Sequence, residues 1–171
     1  MTFRCTGKVQ KRLGLTEPRL DPAPSDAEAA DWHCNLLVLS RRPAYLVTHT
    51  LSLFSVLFPA AGAASASTLS AAVREHVRQA LARDGFGPPE SSRILDAGPD
   101  RFCKSTDRRV LGSMNDFANM ADWATYDHGS AHLALLQSTA DRQMNNAPMS
   151  LLGMDCPRDV LRLLLRPQGV A

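Results

Sequence analysis

The sequence predicts an α+β protein with a small antiparallel sheet of about four strands packed against four or five helices. Short apolar segments of alternating polarity fill the first 60 residues, whereas apolar residues recur at helical spacing from residue 69 onward. Strands first and helices later are typical of this class. With 171 residues, the chain fits a single globular domain, 1–171.

The strands are predicted from alternation and from the turn residues between the apolar runs. The segments concerned are 3–6, 32–39, 44–50 and 101–105. Ser40 to Pro43 form the turn that pairs the second and third of these in antiparallel fashion. Segment 51–58 fits a strand or a short helix because so apolar a run suits either period, and we favour the strand.

The helices are predicted from apolar spacing and from start and stop residues. One or two helical turns at 8–13 are closed by Gly14, and Thr68 or Ser70 caps a longer helix that ends at Gly85. Ser105 or Thr106 caps the most regular helix, and the remaining helices fall at 88–95, 131–144 and 157–166. The proline-rich segment 16–30 and the small-residue segment 60–67 are predicted as surface loops.

Composition excludes several classes of protein. Nineteen basic against 17 acidic residues give a net charge of +2, well short of a dedicated nucleic-acid binder. The four cysteines are far apart and form no C-x-x-C pair, so we expect buried thiols. The alternative is two disulfides, which an even number of cysteines allows. The first residues lack the apolar core of a secretory signal, and no apolar window is long enough to cross a membrane. We expect a cytoplasmic protein without a membrane segment or a cofactor.

The segment that follows residue 104 carries the densest set of functional groups. Arg108, Asn115 and Asn119 share the polar face of the predicted helix, with Asp116 beside them. The helix N-terminus near Ser105 favours a phosphate or carboxylate. The alternative is a solvated helix face on which Gly112 lets another element pack closely.

The other candidate sites are less complete. His128 and His132 are four residues apart but lack a third ligand, so we expect no metal site. Hydrolase, nucleotide and dinucleotide motifs are absent, which leaves an enzyme with Asp116 as acid or base and Arg108 or Arg109 stabilising an anion. A basic face on the last helix could track a nucleic-acid backbone or be a solvated surface; it comprises Arg158, Arg162 and Arg166.

Three segments together resemble a bacterial domain family of unknown function. They are W-x-x-N-L-L at 32–37, R-x-L-G-S-M-N-D at 109–116 and N-x-x-P-M at 145–149. Members tend to show Thr-Asn-Asp where this chain has Thr48-His49-Thr50. The resemblance spans nearly the whole chain and implies a single bacterial domain, with no activity attached.

The leading hypothesis is a non-catalytic binding or interaction module for a protein or an anionic ligand, centred on Arg108, Asn115, Asp116 and Asn119. The competing class is the small hydrolase or nuclease-like enzyme. A structural alternative assigns Asn115 and Asp116 to tying the Asn145-Asn146 segment and the Pro148 turn to the core, because buried polar groups must be hydrogen-bonded.

Overall fold

The computed structural model of the chain describes residues 1–96, 98–128 and 133–166. Its strands are β1 (Thr2–Cys5), β2 (Asp31–Leu39), β3 (Arg42–His49), β4 (Ser55–Pro59) and β5 (Arg101–Lys104). Its helices are α1 (Gly7–Leu13), α2 (Ala66–Arg83), α3 (Pro88–Leu95), α4 (Arg108–His128), α5 (Leu133–Asn146) and α6 (Pro157–Leu165). Short 3₁₀ turns lie at Glu17–Arg19 and Ser150–Leu152.

The α+β class is confirmed, but the sheet predicted as antiparallel with about four strands is mixed in the structure. The sheet has five strands in the order β4-β3-β2-β1-β5, and β1 runs parallel to both β2 and β5. Only β2, β3 and β4 form an antiparallel meander. Residues 6–30, which include α1, separate β1 from β2 and provide the long crossover that a parallel pair requires. The described residues also form six α-helices instead of four or five.

The predicted turn between β2 and β3 and the predicted strand within 51–58 are both present, with bounds that differ from the predicted ones. Ser40 and Arg41 both have positive φ, 46° and 66°, as in the two-residue turns that match the twist of a hairpin. In the segment 51–58 the strand begins only at Ser55, because the preceding residues form a turn in which buried Leu53 takes a φ of 59°.

Two helices start at residues other than the predicted caps. Ser65 caps α2, and its Oγ accepts from Thr68 N while Thr68 Oγ1 accepts from Ser65 N. The loop predicted at 60–67 therefore ends at Ser65. Asp107 begins α4, since its Oδ1 accepts from the backbone N–H groups of Arg109 and Val110.

The sheet separates two apolar cores. One face of the sheet packs against α1, α2, α3 and α6, with the aromatic side chains of Phe3, Trp32 and Phe58 at its centre. The opposite face packs against α4 and α5 through residues that include Leu46 and Phe117. Strand alternation assigns residues to the two faces, and it places Arg4 and His33 on the α4 side.

Helix α5 covers the open edge of the sheet with polar side chains. Asn145 Oδ1 accepts from Ser55 N at 2.7 Å, and Asn145 Nδ2 donates to Ser55 O at 2.9 Å. One turn earlier, Asp141 Oδ1 accepts from Leu57 N at 2.8 Å, and Gln137 Nε2 donates to Leu57 O at 3.2 Å. The outward N–H and C=O groups of Ser55 and Leu57 are thereby satisfied without another strand.

Candidate functional site

A polar cleft opens on the α4 side of the sheet, at the point where α4 begins. Helix α4 packs over β2 and β3 and α5 packs over β4, so neither covers β1. The segment 23–27 closes that side instead. The space between the segment and the first residues of α4 measures about 650 Å³. Its lining comes from three sheet or turn residues (Arg4, His33, Thr50), four residues of the segment 23–27 (Ala23, Pro24, Ser25, Ala27), and the α4 start (Thr106, Asp107, Arg108, Arg109).

A buried ion pair forms part of the floor. Arg4 Nε donates to both oxygens of Asp31, at 2.9 and 2.8 Å, and Arg4 Nη2 lies 2.8 Å from Asp31 Oδ2. Arg4 Nη2 also donates to Pro24 O at 3.2 Å, which ties the cleft wall to the sheet. Both side chains are buried, so this guanidinium already has its countercharge inside the protein.

His33 lies beside Arg4 on the floor and is fully buried. Its Nδ1 is 2.8 Å from Ser105 Oγ, which fixes the ring against the loop between β5 and α4. Burial, and after it the charge of Arg4, lowers the pKa of His33 to about 4. The ring is therefore neutral at neutral pH and offers a hydrogen-bonding atom without a charge.

Two buried side-chain atoms lack a hydrogen-bond partner among the described residues, and both belong to the lining of this cleft. They are His33 Nε2 and Thr50 Oγ1. A buried polar group without a partner costs roughly 1–3 kcal/mol, so such groups are rare and need an explanation. Their location on one cleft indicates a place for a hydrogen-bonding ligand.

The rim at the start of α4 is positive. Arg108 and Arg109 are exposed. Arg109 Nε lies 3.8 Å from Asp107 Oδ1, whereas Arg108 forms no ion pair with a described residue. The N-terminus of a helix of 21 residues adds its partial positive charge. Among the lining residues at the start of α4, Asp107 supplies one negative charge against two arginines, which favours an anion there. Asp26 carries a carboxylate in the wall segment but does not line the cleft.

His49 is hydrogen-bonded to Ala29, two residues after the segment 23–27 that forms the cleft wall. Its Nε2 lies 3.0 Å from Ala29 O and its Nδ1 lies 2.8 Å from Ser52 Oγ. Because the carbonyl only accepts, the ring carries its proton on Nε2 and accepts at Nδ1. Burial lowers the pKa of His49 to about 4.

His49 is expected to lower the stability of the fold in mild acid. Between pH 6.5 and 4.5 the unfolded chain protonates this histidine while the folded protein keeps it neutral, so acid favours unfolding. His33 works in the same direction, whereas the burial of Asp141 raises its pKa to about 7 and works in the opposite direction, so the contribution of His49 is isolated by comparison with a variant. Over this range His49→Gln should lose about 2 kcal/mol less of its unfolding free energy than the wild type, measured by urea denaturation. Equal losses in the two proteins would contradict the assignment.

The structure brings only part of the predicted site together. Arg108 lines the cleft, and so does Arg109 of the alternative enzyme site. Asn115, Asp116 and Asn119 are exposed farther along α4, about 10 to 17 Å from Arg108 at 1.5 Å per residue. Asp116 is not among the cleft residues, and a functional role for these three side chains stays a prediction.

The structure supports neither structural role predicted for this helix, the tie from Asn115 and Asp116 to the Asn145-Asn146 segment or the close packing at Gly112. The side-chain amide of Asn145 bonds to Ser55 and not to Asn115 or Asp116. A Cβ added at Gly112 would meet no described atom within 4 Å, so close packing does not account for this glycine.

The basic face predicted on the last helix is divided among internal contacts. Arg162 packs over the Phe86 ring at 5.4 Å and donates to Asp84 O. Arg158 pairs with Asp159 at 3.3 Å, and Arg166 is exposed just after α6. The face is therefore less free for a nucleic-acid backbone than its spacing suggests.

Other sequence predictions concern metals, thiols and membranes. His132 and the side chain of His128 lie outside the described residues, and the described ones contain no cluster of metal-ligating side chains. All four cysteines are free thiols; Cys5, Cys34 and Cys103 are buried and Cys156 is partly exposed. Within the described part of the chain, no helix combines the length and the apolar character needed to cross a membrane.

The sequence did not predict the residues of the cleft floor, Arg4, Asp31 and His33. Asp31 and His33 alternate with Trp32 and Cys34, a pattern that is usual for a strand with one solvated face. A charged residue in the first strand, Arg4, was an available signal. Its position beside His33 depends on the parallel pairing of β1 with β2, which local spacing does not predict.

Fold and cleft together define an α+β protein with a polar cleft at a helix N-terminus. A protein-family model described as a domain of unknown function, DUF6933, matches residues 2–160. The chain belongs to this family. A comparison with curated proteins finds no match.

Proposed function

We propose that the chain is a binding module for a small anionic ligand, a phosphate or a carboxylate, held in the cleft between segment 23–27 and the start of α4. One observation carries the proposal: both unpartnered buried side-chain atoms of the described residues line this cleft. The exposed Arg108 and Arg109 at the helix N-terminus supply the charge that selects an anion.

The proposal includes the compartment. Three buried free thiols are typical of proteins from reducing compartments, and we place the module in the bacterial cytosol.

Two of the three segments that carry the family resemblance, Arg109 to Asp116 and 145–149, have different roles in this proposal. The first begins at the cleft, whereas the second begins with Asn145 on the sheet edge.

The test measures phosphate binding with and without the rim charges. In low-salt buffer, phosphate should raise the thermal midpoint of the wild type in a saturable manner, because a ligand that binds the folded state stabilises it. The double variant Arg108→Gln/Arg109→Gln should bind phosphate about tenfold more weakly, since it loses two charged partners. Calorimetric titration gives the two dissociation constants.

The matched control removes the same charge elsewhere. Arg41 and Arg42 are exposed on the β2–β3 hairpin, at the opposite end of β2 from His33 and about 20 Å away at 3.3 Å per residue. Arg41→Gln/Arg42→Gln should leave phosphate affinity within about twofold of the wild type. An equal loss in both double variants would show a general charge effect and would overturn the site.

A further inference from the structure

We infer that the ligand of the cleft is a polyhydroxylated organic anion, such as a sugar phosphate or a sugar acid, and that its hydroxyl groups meet His33 Nε2 and Thr50 Oγ1. This inference rests on the proposed function and deepens it. It follows from the way the cleft separates its charged groups from its neutral groups.

The positive charge available to a ligand lies on the rim. Arg108 and Arg109 are exposed there, whereas the floor cation Arg4 is already bonded to Asp31 and to Pro24 O. An anionic group therefore binds best at the mouth of the cleft. A bare inorganic anion at the mouth would leave the floor atoms without a partner.

The floor offers groups that suit hydroxyls. His33 is neutral at neutral pH, and its Nε2 can accept or donate according to the tautomer that Ser105 Oγ stabilises. Thr50 Oγ1 both donates and accepts. A ligand hydroxyl does the same, so it can complete either arrangement, whereas a second carboxylate could only accept.

The dimensions of the cleft agree with a molecule larger than a single anion. About 650 Å³ lies within the usual range for organic ligands.

Among the described residues, the Arg4 bond to Pro24 O is the hydrogen bond that ties residues 23–27 to the sheet. A ligand can therefore reach the floor by displacing this wall without breaking a strand.

The first part of the test compares four probes by calorimetric titration: inorganic phosphate, ribose 5-phosphate, gluconate and ribose. At least one of the two hydroxylated anions should bind about tenfold more tightly than phosphate, because it adds hydrogen bonds on the floor. Ribose should bind far more weakly, because it lacks the charge. If both hydroxylated anions bind no better than phosphate, the inference is overturned while the proposed function stands. If none of the anions binds, the proposed function itself fails.

The second part uses Thr50→Val, which is nearly isosteric and removes a hydroxyl that has no partner among the described residues. The variant should keep its thermal midpoint and bind the preferred hydroxylated anion about five- to tenfold more weakly, a larger loss than it shows for phosphate. His33→Gln is the second variant, and it should show the same selective loss even if its stability drops. Unchanged affinity for the hydroxylated anion in both folded variants would overturn the floor contacts.

Discussion

Asn145→Ala is expected to destabilise the fold by about 3 kcal/mol. The substitution removes the hydrogen bonds to Ser55 N and Ser55 O, both buried, and leaves an edge-strand donor and acceptor without partners. Urea denaturation measures the change, with the slope against denaturant checked for two-state behaviour. Because the β4 edge then has one N–H and one C=O group without a partner, we also expect the variant to aggregate sooner when heating loosens α5 from this edge.

The neighbouring asparagine provides a matched control. Asn146 is the last residue of α5, and its amide donates only within the helix, to Arg142 O at 2.7 Å. Asn146→Ala should therefore change the unfolding free energy by less than about 1 kcal/mol. Similar losses in the two variants would mean that Asn145 contributes only as an ordinary helix residue.

Asp31→Ala is expected to destabilise the protein by about 3 to 5 kcal/mol. The change leaves Arg4 buried with no countercharge, and its remaining described hydrogen bond is to Pro24 O. The loss should exceed that of the double variant Arg4→Met/Asp31→Leu, in which neither charge remains in the interior. Urea denaturation of the single and double variants separates the cost of an isolated charge from the loss of packing.

An exposed ion pair sets the scale for this comparison. Glu75 pairs with Arg78 at 3.4 Å on the surface of α2, where both side chains are more than half exposed. Glu75→Ala should change stability by less than about 1 kcal/mol. If Asp31→Ala were as mild, the Arg4–Asp31 pair would not be the structural element of the cleft floor that its geometry indicates.

Local sequence patterns predicted two elements well, helix α4 and the β2–β3 hairpin. The α4 stripe of Val110, Met114, Phe117 and Ala121 is buried as its helical spacing predicts. The hairpin of β2 and β3 followed from alternation and a turn signal. Both depend on neighbours in the sequence, so local reasoning suffices.

Elements that depend on distant partners were not predictable in this way. The parallel pairing of β1 is decided by which distant strands flank it. The cap of α4 moved from Ser105 or Thr106 to Asp107 because Ser105 Oγ is engaged by His33 across the sheet. For the same reason the sequence revealed the arginines of the rim but not the neutral floor.

The most direct test follows the ring nitrogens of the histidines by NMR while phosphate, ribose 5-phosphate or gluconate is added. We expect a saturable shift at His33 Nε2 with one of the hydroxylated anions, because that atom gains its missing partner. His49 is the internal control, since its two ring nitrogens already have partners in Ser52 and Ala29. A saturable response at His33 with an unchanged His49 would support the cleft as an anion site. Saturation of the protein by these anions with no change at His33 would place their binding elsewhere and contradict the proposed site.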